Sequence, residues 1–218
     1  LDRISHTPGI ELGFILQPTT IVGVGYKYND TASRSSDLVT IAGAAVPGLP
    51  ANTVTADTRD YRSHSFYAGI EHQFNPKLDL SLRGGAQLVD FHKADDLQAI
   101  GAVDYRGDET VPYIDLKLGW NYNPGSSLNL GVVNTMSSTS LGSAQSQNNT
   151  GVYLDLNHRI TPKLTLGALG FYQYSSFTGG VWNSKKEQLI IAGVSLEYLI
   201  IQNLSAEVGY NYDLLDSD

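Results

Sequence analysis

Apolar residues recur at every second position through most of the chain, which is the pattern of a β-strand with one apolar face. The first clear run places Ile10, Leu12 and Phe14 on one parity and Glu11 and Gly13 on the other. The same alternation starts again near residues 22, 66, 78, 114, 128, 152, 164, 190 and 204. We therefore expect ten strands, and no helical period competes with them.

The connections between these strands alternate between two lengths. Five are short and built of turn-forming residues: QPT, NPK, NPGSS, TPK and QN. Four are long, at about residues 29–62, 92–110, 137–149 and 178–186, and are rich in Ser, Thr, Asp, Gly and Asn. Hairpins with short turns at one end and long loops at the other are the layout of an outer-membrane barrel. The apolar centre of the first loop, Leu38 to Pro50, would constrict a pore if it folded inward and contact a partner or a neighbouring barrel if it folded outward.

Strand length and aromatic placement favour a barrel in lipid over a soluble β-sandwich. Strands of roughly 10–13 residues suit a bilayer, which needs about 9–11 when strands tilt, and exceed the ~5–6 residues usual in soluble sheets. Aromatic residues on the apolar parity near strand ends would form girdles at both membrane interfaces. The girdle candidates are Phe74, Trp120 and Tyr122 near the short turns, and Tyr26, Tyr28, Tyr172, Tyr174, Tyr210 and Tyr212 near the long loops.

The opposite parity carries the charged residues, which a barrel would turn toward its lumen. The lumen-lining candidates are Glu11, Lys27, Glu71, Asp79, Arg83, Asp115, Lys117, Asp155, Arg159, Glu197 and Glu207. Seven acids against four bases predict a mixed, mildly acidic lumen with a modest cation preference, because rings of charge set the sign of ion preference. Alternatively, these charges only solvate the wall or pair with neighbours, such as Asp115 with Lys117 or Asp155 with Arg159.

Four aromatic residues also fall on the charged parity: Tyr67, Tyr113, Tyr153 and Phe171. They are candidates for a track that guides a polysaccharide, and filling a narrow lumen explains them equally well.

Composition excludes several classes of site and partner. The 218-residue chain has no cysteine, so a disulfide scaffold, a thiolate zinc site and a cysteine nucleophile are all excluded. Its net charge of −8 argues against nucleic acid as a partner, because binders of nucleic acid concentrate Lys and Arg. The sequence contains no run of about 18 apolar residues, so no transmembrane helix is predicted.

The five histidines do not predict an enzyme. His72 and His158 fall on the apolar parity close to short turns, where packing at the membrane edge is expected. His64 beside Ser63 and Ser65, and His92 near Asp90 and Asp95, offer chance neighbours rather than a nucleophile, base and orienting group in contact. The loop carboxylates Asp57, Asp60, Asp95 and Asp96 could bind Ca²⁺ but are typical of a soluble loop. We expect no catalytic residue, no cofactor and no metal ion.

Two hairpins carry a family resemblance: HSFYAGIEHQFNPKLDLSLRGGAQ and TGVYLDLNHRITPKLTLGALGFYQY. Their unit, a strand, then Ser, Thr or Asn followed by Pro, Lys or Arg, and Leu, then a second strand, resembles the outer-membrane β-barrel porins of Gram-negative bacteria of the beta-barrel porin 2 type. The resemblance implies a trimeric or monomeric pore, or an exporter, and no catalytic residues. Its partners would be the lipid bilayer of the outer membrane, other barrel subunits, or periplasmic or surface proteins.

Together these patterns predict an all-β protein, an antiparallel up-and-down transmembrane β-barrel with ten strands visible in a single domain, residues 1–218. Both ends of the chain would lie on the loop side, whereas bacterial barrels place them at the short turns. We therefore expect an internal portion of a barrel of twelve or more strands, and the alternative is a ten-stranded closure of inverted topology. The expected function is an outer-membrane pore for small polar solutes or ions. The alternatives are an exopolymer export barrel and a plugged structural barrel that anchors a surface assembly.

Overall fold

Most of the chain folds into one antiparallel β-sheet, as the alternation predicts. The structure, a computed structural model, describes residues 3–34, 38–40, 44–46, 49–99, 101, 107–138, 144–179 and 183–217. In chain order the elements are β1 (Arg3–His6), β2 (Gly9–Gln17), β3 (Thr20–Ser33), β4 (Leu38–Thr40), β5 (Thr53–Thr55), a 3₁₀ helix (Ala56–Arg59), β6 (Tyr61–Asn75), β7 (Leu78–Phe91), α1 (Ala94–Ala99), β8 (Asp108–Asn123), β9 (Ser126–Ser138), β10 (Ser146–Thr161), β11 (Leu164–Thr178), β12 (Lys186–Ile201) and β13 (Leu204–Ser217).

The main sheet has eleven strands in up-and-down order, from β1 and β2 at one edge to β13 at the other. The ten expected strands are all present, and β1 is an addition. Both β1 and β2 pair with β3, so together they form one edge ribbon that is interrupted at Thr7 and Pro8. The sheet is consistent with a barrel but is not closed, because β2 and β13 are not paired with each other. The larger barrel of twelve or more strands stays a prediction.

A β-bulge next to each short turn sets the register of the sheet. A two-residue turn by itself places an odd residue opposite an even one, as Asn75 lies opposite Leu78. The bulge between Gln73 and Asn75 then shifts the pairing, so that Gln73 lies opposite Asp79. The same shift occurs beside the other four short turns, at Ile15/Gln17, Trp120/Asn123, Arg159/Thr161 and Leu199/Ile201. Odd residues consequently face odd residues along the body of every pair.

The two related turns, NPK and TPK, are closed by the residue before proline. The Asn75 side-chain oxygen accepts a hydrogen bond from the Lys77 amide at 2.8 Å. The Thr161 hydroxyl oxygen accepts bonds from the amides of Lys163 and Leu164, at 3.2 and 3.0 Å. Proline restricts φ to the value that the first turn position requires, while Asn and Thr bond the backbone two residues on. The repeated sequence therefore specifies a tight corner twice.

The first two long loops pack on each other at the loop end. Ala44, Val54, Ala56 and Leu97 are buried together, with Val46 packed against them. Lys93 forms an ion pair with Asp57, which also accepts a hydrogen bond from Thr55. The part of the first loop that the structure describes therefore contacts the second loop.

Helix α1 contributes Leu97 to this cluster, and the alternation predicted neither α1 nor the 3₁₀ helix. Among the described residues, no helix is long and apolar enough to span a membrane. Residues 41–43, 47 and 48 of the expected apolar centre lie outside the described residues.

Acid should loosen this contact between the loops. The hydrogen bond from Lys93, and then that from Thr55, hold the pKa of Asp57 below its ordinary value of 3.8. A lowered pKa in the folded state means that the stabilisation is present above that ordinary value and is lost as pH falls through the lowered one. Because both side chains are partly exposed, we expect a loss of about 0.5–1 kcal/mol, which is about a two- to fivefold fall in protection of the Leu97 amide against hydrogen exchange.

Exchange rates corrected for the intrinsic effect of pH would measure this change. The variant Asp57→Asn should show the lower protection at neutral pH already and no further fall in acid. If Asp57→Asn still loses protection at the same pH, the group that titrates is not Asp57.

Candidate pore-lining face

The register places the two sets of predicted residues on opposite faces of the sheet. Along the strand bodies, each odd-numbered residue lies opposite another odd-numbered residue. Glu11 lies opposite Gly25, for example, and Arg83 lies opposite Asp115. All eleven lumen-lining candidates are odd-numbered and share one face, which we call the inner face. All nine girdle candidates are even-numbered and share the other, the outer face. Their roles in a pore and a girdle stay predictions.

The outer face is apolar and exposed rather than packed into a core. Val208 is 70% exposed, Leu12 and Tyr210 are each 67% exposed, and Val194 is 54% exposed. In a water-soluble sandwich these side chains would be buried against a second sheet. A β-sheet with its apolar side chains outside and its charges inside suits a hydrocarbon surrounding.

An ion-pair network crosses the inner face of the first strands. Arg83 on β7 lies 2.8 Å from Glu71 on β6 and 3.4 Å from Glu11 on the edge strand β2. The Tyr67 hydroxyl donates to the second oxygen of Glu11 at 3.0 Å. The Lys27 ammonium lies over the rings of Tyr67 and Tyr113, at 5.4 and 5.6 Å from their centroids. Arg83 therefore neutralises two acids, and Lys27 is held by ring faces instead of a carboxylate.

Two of the four inner aromatic residues lie on glycines of the neighbouring strand. A Cβ atom added at Gly25 would lie 2.2 Å from the ring of Tyr67, its register partner. A Cβ atom added at Gly131 would lie 2.2 Å from the ring of Tyr153, also its register partner. Both rings therefore lie flat along the wall and project little into the interior.

The structure adds three acids to the inner face that sequence reasoning missed. Glu109, Glu187 and Asp213 are odd-numbered residues of β8, β12 and β13. They were missed because these strands extend further toward the loops than the apolar alternation indicates. Five acids and one base now stand on the inner face of β10 to β13: Asp155, Glu187, Glu197, Glu207, Asp213 and Arg159. Glu197 and Glu207 are direct register partners, which brings two like charges together.

The suggested pairs within β8 and β10 do not form among the described residues. Lys117 has no ion pair there, and Asp115 makes none with it. Asp155 instead accepts a hydrogen bond from Asn129 at 3.4 Å. The guanidinium of Arg159 lies against Gly125 in the β8–β9 turn, close enough that an added Cβ atom there would collide with it.

Three histidines join the aromatic clusters of the outer face. His64 shares a 2.8 Å hydrogen bond with the Tyr26 hydroxyl, and His158 shares one of 2.7 Å with Tyr122 and stacks on its ring. His72 meets Phe74 edge-on, with ring centroids 4.5 Å apart. These contacts fit interfacial packing.

The two serines beside His64 lie on the opposite face of the sheet from its ring. Ser63 and Ser65 are inner-face residues, so the register turns them away from His64. Asp60 accepts a hydrogen bond from the Ser33 amide. Within the described residues, no group of three or more His, Asp or Glu side chains could hold a metal ion.

At the loop end the inner face is covered. Tyr61, Val89, Phe91, Val111 and Met136 form a buried cluster, and all but Met136 are odd residues of β6 to β8. Toward the short turns the inner face is open, as the exposed acids Glu71 and Asp79 show. The interior is therefore accessible at one end of the strands and filled at the other.

One comparison with known proteins identifies a family. The family model described as "Putative beta-barrel porin 2" matches residues 109–218, half of the chain, from β8 to the end of β13. No curated protein and no solved structure matches the chain.

Replacing the glycine beneath an inner ring should destabilise the sheet. Gly131→Ala should lower the free energy of unfolding by about 1–3 kcal/mol, because the new methyl group overlaps Tyr153. The measurement is urea unfolding of protein refolded into detergent micelles. In a Tyr153→Ala background the same glycine substitution should cost nothing further.

Gly84→Ala is the matched control, since nothing lies within 4 Å of a Cβ atom added there. It should change the free energy by less than about 0.5 kcal/mol. An equal cost of Gly131→Ala with and without the Tyr153 ring would contradict this account of the glycine.

Trp120 should report contact with lipid. In a Trp182→Phe variant it is the single tryptophan, exposed on the outer face beside the short turns. Lipids brominated near the headgroup should quench its fluorescence more than lipids brominated at the end of the acyl chain, because girdle residues lie at the interface.

A tryptophan on the inner face is the control for this quenching. Tyr113→Trp in a chain that lacks Trp120 and Trp182 should be quenched by acrylamide, a neutral aqueous quencher, and not by brominated lipid. If the aqueous quencher acted on Trp120 and brominated lipid acted on the tryptophan at position 113, the even-numbered face would be the inner one.

Proposed function

Because the chain belongs to the beta-barrel porin 2 family, we propose that it forms a pore in the bacterial outer membrane. Small polar solutes or ions would pass through a mixed, mildly acidic lumen lined by the inner face. The lipid bilayer would be its partner, in contact with the outer face. No step of this function needs a catalytic residue or a cofactor.

The observation that carries this proposal is the separation of the two faces by charge. Eleven predicted charged residues share the inner face, while the outer face presents exposed aliphatic and aromatic side chains. In lipid, apolar side chains need no protein cover, and the charged face needs water. Both needs are met when the sheet curves around a water-filled interior.

The distribution of inner-face charge supports a cation preference. On β2 to β8 the bases Lys27, Arg83 and Lys117 offset most of the acids, and Arg83 binds two of them directly. On β11 to β13 the described inner-face positions carry Glu187, Glu197, Glu207 and Asp213 and no base. Cations would therefore accumulate along the wall formed by the last strands.

A plugged structural barrel is the second candidate, and the buried cluster at the loop end favours it. Tyr61, Val89, Phe91, Val111 and Met136 fill the interior where a permanently open pore would hold water. A barrel that stayed in this arrangement would anchor surface loops without conducting.

Conductance in a planar lipid bilayer tests the pore, and the reversal potential under a salt gradient tests its selectivity. We expect discrete channels with a cation-to-anion permeability ratio above one. Glu197→Gln combined with Glu207→Gln should lower that ratio, and Arg83→Gln should raise it. Each charge should change the ratio by about two- to fivefold, from about 0.5–1 kcal/mol per charge in a watery lumen.

The control is Arg62→Gln, which removes the same charge from an outer-face position, where Arg62 pairs with Asp30 at 3.5 Å. It should leave the permeability ratio unchanged. Anion preference in the wild-type protein would overturn the selectivity proposal, and protein that folds but never conducts would favour the structural barrel.

A further inference from the structure

The two halves of the sheet separate at the loop end between β8 and β9. Their pairing runs from the turn up to Ile114 opposite Asn134 and ends there. Above this point β8 pairs with β7 as far as Asp108, and β9 pairs with β10 as far as Ser138. Pro112 lies just beyond the last pair and has no N–H to donate, and proline is confined to sheet edges and bulges. The upper part of β8 is therefore an edge.

Beyond this seam β9 lies over the inner face of β6 and β7. The Met136 amide donates to the side-chain oxygen of Gln87 at 3.2 Å, and the Gln87 side-chain nitrogen donates to the Ser63 hydroxyl at 3.2 Å. Gln87 and Ser63 are inner-face residues of β7 and β6. A backbone amide bonded to an inner-face side chain must itself lie inside the curve of the sheet. The Met136 side chain, 4% exposed, belongs there to one buried cluster with Val89 and Val111.

The ends of β10 and β11 are held on the same side by Glu109 of β8. One carboxylate oxygen accepts a hydrogen bond from the Ser146 hydroxyl at 2.7 Å, and the other accepts one from Thr178 at 3.2 Å. Ser146 and Thr178 are register partners, so one carboxylate binds both strands. We call the residues held in this way, 135–138, 146–149 and 175–178, the inner flap.

The inner flap makes both polar and apolar contacts with β6–β8, and the flap and the adjoining Asn134 bury unpaired polar atoms. Gln87 and Glu109 make hydrogen bonds between the inner flap and β6–β8, and the cluster around Met136 adds apolar contacts. The side-chain oxygens of Asn134 and Asn148 are buried without a hydrogen-bond partner among the described residues. Unpaired buried oxygens disfavour this arrangement. These features are those of a segment that changes position.

We propose that the inner flap is a gate. In the arrangement seen here it fills the lumen at the loop end, and the pore opens when the flap swings out and the inner face of β6 to β8 becomes wet. Hydrogen bonds to Glu109 and Gln87 hold the inner flap in the closed position, and the Met136 side chain fills the apolar cluster. The gate rests on the proposed pore, and it explains how a conducting barrel can have a filled interior.

A covalent lock tests the gate, and the absence of native cysteine makes it selective. Val111→Cys with Met136→Cys places one thiol on the wall and one on the flap. After reaction with a short bifunctional maleimide, the open probability in a planar bilayer should fall by about tenfold or more, because the closed state is then the one available. The unreacted double variant is the reference for this fall, because the smaller side chains at 111 and 136 should by themselves raise the open probability.

The matched control joins strands that the gate does not separate. Ser127→Cys and Asn157→Cys are register partners on the inner face of β9 and β10 near the short turns. Their cross-link should leave the open probability unchanged. A second variant, Met136→Asp, places a charge in the apolar cluster and should raise the open probability. Folding of each variant is checked by its heat-modified mobility on a gel.

The outcomes separate the gate from the pore. Loss of conductance in the locked flap, with none in the control, supports the gate. Unchanged conductance in the fully cross-linked flap overturns the gate and leaves the pore standing. If the folded wild type, the unreacted protein and Met136→Asp all fail to conduct, the proposed pore itself fails and the flap is a permanent plug.

Discussion

The two-faced wall depends on one geometric constraint, which is that residues of equal parity lie opposite each other in every strand pair. A two-residue turn alone would break this rule, because it places Asn75 opposite Leu78. The bulge beside each of the five short turns restores the rule within two or three residues. A slip of one residue would instead turn a charged strand such as β7 inside out and place Arg83 in hydrocarbon, at a cost of about 2–4 kcal/mol at mid-membrane. The bulges therefore convert a local alternation into a continuous polar face.

The contacts across the inner face follow from that register. Since Gly25 lies opposite Tyr67, the ring can lie flat and its hydroxyl reaches Glu11. Glu11 is thereby held where Arg83, three strands away, binds it together with Glu71. Small residues at register positions thus let long side chains span neighbouring strands. The result is a partly neutralised wall on the first strands and a more acidic one on the last, although the same alternation builds both.

Sequence reasoning predicts the strands, the short turns and the two faces, because a period of two is a local property. It misses Glu109 and Glu187 because the alternation is lost where the odd positions are themselves apolar, as at Val111 and Leu189. It also suggests pairs between near neighbours on one strand, such as Asp115 with Lys117, whereas Arg83 pairs with acids on other strands, Glu71 across its own hairpin and Glu11 three strands away. Those depend on the curvature of the sheet and on side-chain reach, which no local pattern encodes. The packing of the first two loops through Leu97 and the inward path of β9 are long-range contacts of the same kind.

The inward path of β9 has a physical reason in the composition of the inner face. Toward the loops this face becomes apolar, with Val89, Phe91 and Val111, and an open pore would expose these side chains to water. Covering them stabilises the closed arrangement by about 1.5–3 kcal/mol for each side chain that is fully removed from water. Covering them also buries the Asn134 and Asn148 oxygens unpaired, which costs about 1–3 kcal/mol each. The opposing terms are of similar size, so the balance between a covered and an open lumen rests on a few side chains, and a single substitution at Met136 or Glu109 can tip it.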